Sequence, residues 1–161
     1  MIELQKNLPF FILVFVLVFL IVLVAAFLYT QFFVEKRRIT IINDDGERIE
    51  VNVEIAADPI KHSRGLMFRK HLEEDGGMLF IFEKPGRYGF WMVNTTIPLD
   101  AIFFDDRRDV VDIITMEPCA SLVEQCKIYT PISDARYVLE VNKGFAAKNK
   151  IGKKSKFIFE G

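Results

Sequence analysis

Seven residues of this chain place a polar or aromatic group inside an apolar stretch: Arg64, Arg69, Trp91, Asn94, Thr95, Asp100 and Glu140. Asp100 follows Pro98-Leu99 at the start of an apolar run, and Glu140 stands between Leu139 and Val141. A carboxyl in such surroundings could act as a general acid or base, or anchor a ligand. Arg64 and Arg69 bracket Gly65-Leu66-Met67-Phe68, and a guanidinium can grip a carboxylate or phosphate with two parallel hydrogen bonds. Trp91 could floor a pocket, while Asn94 and the Thr95 hydroxyl could bond a ligand or close the turn before Pro98. A buried charge without a partner is very costly. The two arginines and two acids are therefore expected to converge and neutralise one another, with Asn94 and Thr95 completing the network. That makes the cluster a structural lock, with a groove at its edge beside Trp91.

Other chemistries have less behind them. Cys119 and Cys126 lie in one polar loop and are the only cysteines of the chain. Two cysteines confined to one loop suit a loop-closing disulfide, Cys119–Cys126, in an oxidising compartment. A zinc site would need a second pair, and the only histidines are His62 and His71. Methionines 67, 78 and 92 with those histidines suggest copper only by proximity, so no metal and no cofactor is assigned. Gly76-Gly77 precedes a strand pattern rather than a helix, so it does not read as a phosphate loop.

The elements that must position these groups read mostly as strands. Ile49, Val51, Val53 and Ile55 alternate with Glu50, Asn52 and Glu54, the period of a strand with one wet face. Ile39–Ile42 and the Asp44-Asp45-Gly46 turn precede it, giving a hairpin over residues 39–55. Further strands are expected at Met78–Phe82, Tyr88–Val93, Ala101–Phe104, Val110–Thr115, Arg136–Val141 and Lys156–Phe159. Asp58-Pro59 reads as an N-cap with proline at the first helical position, starting a helix that Gly65 ends. Phe145–Asn149 gives another turn or two. The expectation is a mainly β fold, a sandwich or partly open barrel of about eight short strands with short helices.

One transmembrane α-helix is expected ahead of that domain. The nineteen residues Phe10–Leu28 carry no charge and no polar side chain. At ~1.5 Å per residue they approach the ~30 Å hydrocarbon core of a bilayer, where only a helix satisfies its own backbone. Val24-Ala25-Ala26 offers a cleavage site after Ala26, but apolar residues continue through Phe27, Leu28, Phe32 and Phe33, which favours a retained anchor. The chain thus divides into a tail and span, 1–34, and a soluble β-domain, 35–161. The domain holds 20 of the 21 bases and 21 of the 22 acids, since only Lys6 and Glu3 precede it. Such balance argues against a nucleic-acid partner. Lys36, Arg37 and Arg38 after the span, against Lys6 before it, place the domain in the cytoplasm by the positive-inside rule. The cysteine pair points the other way, and the extracytoplasmic side is preferred.

Several blocks match a known pattern in order. They are Arg64-Gly65-Leu66-Met67-Phe68-Arg69, then Gly77-Met78-Leu79-Phe80, then Phe90-Trp91-Met92-Val93-Asn94-Thr95-Thr96-Ile97-Pro98-Leu99-Asp100. Pro118-Cys119 and Ala135–Asn142 with Gly144 follow. The soluble domain resembles the domain of unknown function 192 family over roughly residues 50–161. The resemblance implies a mostly β fold, often exported behind an apolar N-terminal segment, and no established activity. The family usually has lysine where this chain has Val93, so a role for that amine is not carried over. Three functions are weighed. The preferred one is a membrane-tethered binding or accessory subunit, partnered by the bilayer through Phe10–Leu28 and by a protein of a membrane complex. The others are an envelope enzyme using Asp100 or Glu140 as acid or base with an arginine clamp, and a metal carrier.

Overall fold

The structure is a computed structural model that describes residues 2–32, 35–119 and 126–159. It divides into two compact units, Met1–Val34 and Glu35–Gly161. The first unit is one helix, α1 (Ile2–Phe32), whose Phe10–Phe27 segment is long and apolar enough to cross a membrane.

The second unit is mostly β. Its strands are β1 (Lys36–Ile42), β2 (Arg48–Ala56), β3 (Gly76–Gly86), β4 (Phe90–Trp91), β5 (Leu99–Phe104), β6 (Val110–Met116), β7 (Ile128–Tyr129), β8 (Ala135–Asn142) and β9 (Lys156–Phe159). Two short helices, α2 (Pro59–Arg64) and α3 (Phe145–Lys148), interrupt them. Seven strands form one mixed sheet in the order β6-β5-β8-β3-β2-β1-β9, while β4 and β7 form a separate ribbon. The β2–β3 pair is parallel and every other neighbour pair is antiparallel. The sheet does not close, yet its outer strands meet at one end. The Val110 amide donates to Ser155 O (2.9 Å), the Phe157 amide donates to Arg108 O (3.1 Å), and Asp109 bridges Lys156. The partly open barrel expected from the strand pattern is this arrangement.

Alternation along the strands sorts the core into two layers. One face buries Ile39, Ile41, Val51, Val53, Leu79, Ile102, Leu139, Val141 and Phe157, together with Phe145 and Ala146 of α3. The other buries Met78, Phe80, Ala101, Phe103 and Val138 beneath Leu66, Leu72, Phe90, Met92 and Tyr129. The connections 57–75 and 87–98 and the β4–β7 ribbon thus cover the second face. α2 begins where Asp58 caps it, its carboxylate accepting the Lys61 amide (2.9 Å). That bond is the chief reason the Asp58 carboxyl is held below its usual range. The helix stops at Gly65, whose φ of +46° suits only glycine comfortably.

Two differences from the sequence expectation stand out. The strand expected over Tyr88–Val93 shrinks to Phe90–Trp91, because its partner β7 is itself only two residues long. β3 extends to Gly86, well past Phe82.

Candidate functional site

The second face of the sheet carries a row of side chains set by strand register. Glu54 of β2 lies opposite Met78 of β3, Met78 opposite Glu140 of β8, and Glu140 opposite Ala101 of β5. Asp100 lies opposite Val141, one position along, so it points to the first face. The two acids expected to share a cluster are therefore on opposite sides of the sheet.

Each of the expected residues has a definite place. Asp100 is buried, and its carboxylate accepts from the Thr115 hydroxyl (2.8 Å) and from the amides of Gly144 (2.9 Å) and Ala146 (3.2 Å). It ties the start of α3 to β5. Arg69 forms an ion pair with Glu54, whose side chain is 12% exposed. The Arg69 carbonyl also accepts from the Thr96 hydroxyl (3.0 Å), so this residue pins the 66–72 connection to β2 of the sheet and to the turn before Pro98. Asn94 takes a left-handed conformation (φ 53°), which asparagine tolerates, and its carbonyl accepts from the Phe68 amide (2.8 Å). The network of two arginines with Asp100 and Glu140 is thus replaced by three separate arrangements.

Four of the seven residues do come together. Arg64, Trp91, Thr95 and Glu140 line one pocket of about 150 Å³. Its aromatic walls are Phe80, Phe82, Tyr88 and Phe90, with His62, Ser63 and Gly65 from α2 and its cap. Phe82 and Tyr88 stack in parallel (3.7 Å between centroids, 7°), and Phe90 stands edge-on to Phe80 (5.1 Å, 88°). Trp91 is 53% exposed at this site and pairs across the ribbon with Ile128, itself exposed. Thr95 is buried, its hydroxyl directed to Val93 O (3.3 Å). The Nε2–H of His62 donates to Ala56 O (3.0 Å), since a carbonyl can only accept, and its ring packs on Phe82 (4.6 Å).

Glu140 is the chemical centre of this pocket. The residue is 4% exposed. Burial alone pushes its carboxyl up to about 8, with no hydrogen bond and no charge among the described residues contributing to offset it. A Cβ added to Gly65 would sit 3.9 Å from Glu140 Oε2 and 3.5 Å from the Phe80 ring. The backbone of Gly65 therefore lies beside the carboxyl. At pH 7 such an acid is mostly protonated and can both donate and accept.

Sequence reasoning missed Glu54 and most of the aromatic wall. Glu54 reads as a wet-face residue of an alternating strand, which it is until the 66–72 connection covers that end of the face. Cys119 and Cys126 are joined in a disulfide with Cα atoms 5.8 Å apart, while the loop between them lies outside the described residues. Among the described residues no cluster of three or more histidine, cysteine, aspartate or glutamate side chains could hold a metal.

Comparison with known proteins gives a consistent picture. The DUF192 family profile, described as an uncharacterized ACR, matches residues 40–159. A UPF0127 protein of Pyrococcus abyssi (strain GE5 / Orsay) is 32% identical over 116 residues, 68% of this chain and 88% of its own length. A solved structure from Sinorhizobium meliloti 1021, described as a candidate transcription regulator, superposes with TM-score 0.71 at 28% identity, covering 78% of this chain and 95% of that one. A protein of unknown function from Novosphingobium aromaticivorans DSM 12444 gives TM-score 0.69 at 31% identity, over 77% and 85%.

Proposed function

The chain belongs to the DUF192 family, which brings no assigned chemistry, and we propose that it is a membrane-tethered recognition module. In this reading its β-domain takes one side chain or one small group of a partner into the pocket over Glu140. The observation that carries the reading is the Glu140 carboxyl, buried among aromatic rings with no partner among the described residues. A structural acid is normally satisfied, as Asp100 is here. An unsatisfied one at the wall of an accessible pocket is where a ligand group belongs. The volume sets the scale: about 150 Å³ is well below the roughly 300–1,000 Å³ of pockets for drug-sized ligands. One side chain or a fragment of similar size fits, and a whole cofactor does not.

Of the two acids weighed for an enzyme, Asp100 faces the other side of the sheet and is fully bonded, which leaves that reading Glu140 alone. The apolar segment Phe10–Phe27 supports a single-pass anchor, and the disulfide supports an extracytoplasmic domain. The near-balanced charge gives no reason to carry a nucleic-acid role over from the Sinorhizobium protein.

Trp91 is the only tryptophan, so its emission reports on this site alone. A screen of small amines, amides, acids and aromatics against the full chain in mild detergent should give saturable changes in that emission. Phe82→Ala should weaken them. Uniformly linear responses across the set, unaffected by Phe82→Ala, would overturn the proposal.

A further inference from the structure

We infer that the group accepted by this pocket is an alkylammonium ion, held by Glu140 and by the faces of the surrounding rings. The inference rests on the recognition reading above and supplies its ligand chemistry. Two independent features point to it.

The first is what the floor of the pocket lacks. Glu140 has acceptor oxygens, and no hydrogen bond or charge among the described residues offsets the burial of its carboxyl. Several of its neighbours are already committed. The Nε2–H of His62 is used on Ala56 O, the Thr95 hydroxyl is directed to Val93 O, and Arg69 is paired with Glu54. Arg64 has an interaction of its own, and no charged group contributes to the rise of the Glu140 carboxyl. An incoming group that carries N–H donors and positive charge satisfies both oxygens once the carboxyl gives up its proton.

The second feature is the walls. Phe80, Phe82, Tyr88, Phe90 and Trp91 line the same pocket as the acid, where Phe82 stacks on Tyr88 and Phe80 meets Phe90 edge-on. Aromatic faces attract a cation within about 6 Å, by roughly 2 kcal/mol or more once water is excluded. Rings and carboxyl together complement a compact cation with an apolar stem.

Binding of this kind couples to a proton. Glu140 must ionise to form the pair, so ligand binding releases the proton that the empty site holds. The titratable and charged groups packed around it are His62 and Arg64 of α2, Tyr88 of the β3–β4 connection, and the Glu54–Arg69 pair beyond Met78. Glu54 stands two strands away, about 9–10 Å, and is neutralised by its arginine.

The same ammonium chemistry could come from a lysine side chain or from a choline-type headgroup, and the test separates them. The full chain in mild detergent is titrated with N-acetyl-lysine methylamide and with choline, each against its neutral counterpart, N-acetyl-norleucine methylamide and 3,3-dimethylbutanol. Trp91 emission is the readout. We expect one cation to bind at least tenfold more tightly than its neutral counterpart, and the preferred cation names the source. Its affinity should rise close to tenfold from pH 6 to pH 7 and level off above about pH 8. Glu140→Gln should abolish the preference for charge. Equal binding of a cation and its neutral counterpart would overturn the ammonium inference while leaving the pocket a binding site. So would saturable binding in the fragment screen by uncharged groups alone. No saturable binding by anything tested would overturn both readings.

Discussion

Replacing Glu140 with glutamine removes the one titration that burial has displaced far from its ordinary value. The carboxyl is raised from 4.5 to about 8 by desolvation. Between those limits the folded protein holds a proton that the unfolded chain has released, so stability must fall as the pH rises. The slope approaches 1.4 kcal/mol per pH unit, and over the whole interval the loss is on the order of 5 kcal/mol. Stability from this group is complete below about pH 4.5 and has been lost once the pH passes about 8. Glutamine has no such dependence. It brings a cost of its own, about 1–3 kcal/mol for amide hydrogens without partners, but that cost does not vary with pH. The informative quantity is therefore the slope and not the absolute stability at one pH. Urea unfolding of the full chain in mild detergent, followed by Trp91 emission and circular dichroism from pH 5 to 8, gives it directly. The wild type should lose on the order of 1 kcal/mol per pH unit relative to Glu140→Gln, so that the two curves converge or cross as the pH rises. Parallel curves would refute the reasoning, because they would mean that the carboxyl titrates alike in the folded and unfolded states.

Three further outcomes follow from the packing. Asp100→Asn should cost about 2–4 kcal/mol, since an amide turned towards the Gly144 and Ala146 amides forfeits charge-assisted bonds, and it should leave ligand binding at Trp91 unchanged; a change in binding without loss of stability in thermal unfolding would contradict this. Deleting residues 1–34 should release a folded, soluble domain, because the β-domain builds both of its core layers from its own strands; aggregation, or a flat amide-exchange profile without protection, would show otherwise. Reducing Cys119–Cys126 should lower stability by about 2–3 kcal/mol, the loop-closure value for so short a ring. Thiol titration of the unfolded, unreduced chain should find no free thiol, and two would remove the main support for an extracytoplasmic domain.

Much of the scaffold was legible in the sequence because local chemistry specifies it. The Ile49–Ile55 alternation and the Asp-Gly turn announce the β1–β2 hairpin, and Asp58-Pro59 with Gly65 brackets α2 to the residue. β7 escaped notice because two residues, Ile128 and Tyr129, carry no readable period. The candidate site was legible only in part. Arg64, Trp91, Thr95 and Glu140 were drawn together by their apolar surroundings, and they do meet. Asp100 and Arg69 share those surroundings and go elsewhere. The reason is register: Asp100 pairs with Val141 rather than Glu140, and a shift of one residue sends a side chain to the opposite face. Nothing in either strand alone encodes that choice, because β5 and β8 are separated by a long stretch of chain. Glu54 was hidden for a related reason. Whether a polar strand position meets water or an arginine depends on which connection folds across it.

The central claim, that Glu140 is a protonated acid waiting for a cation, is tested most directly by infrared difference spectroscopy of the wild type against Glu140→Gln. At pH 7 the wild type should show a protonated-carboxyl carbonyl band that the variant lacks, with a midpoint near pH 8. Adding the preferred ammonium ligand at pH 7 should convert that band to carboxylate. A carboxylate band already present at pH 7, titrating near 4.5 and indifferent to the ligand, would contradict the account.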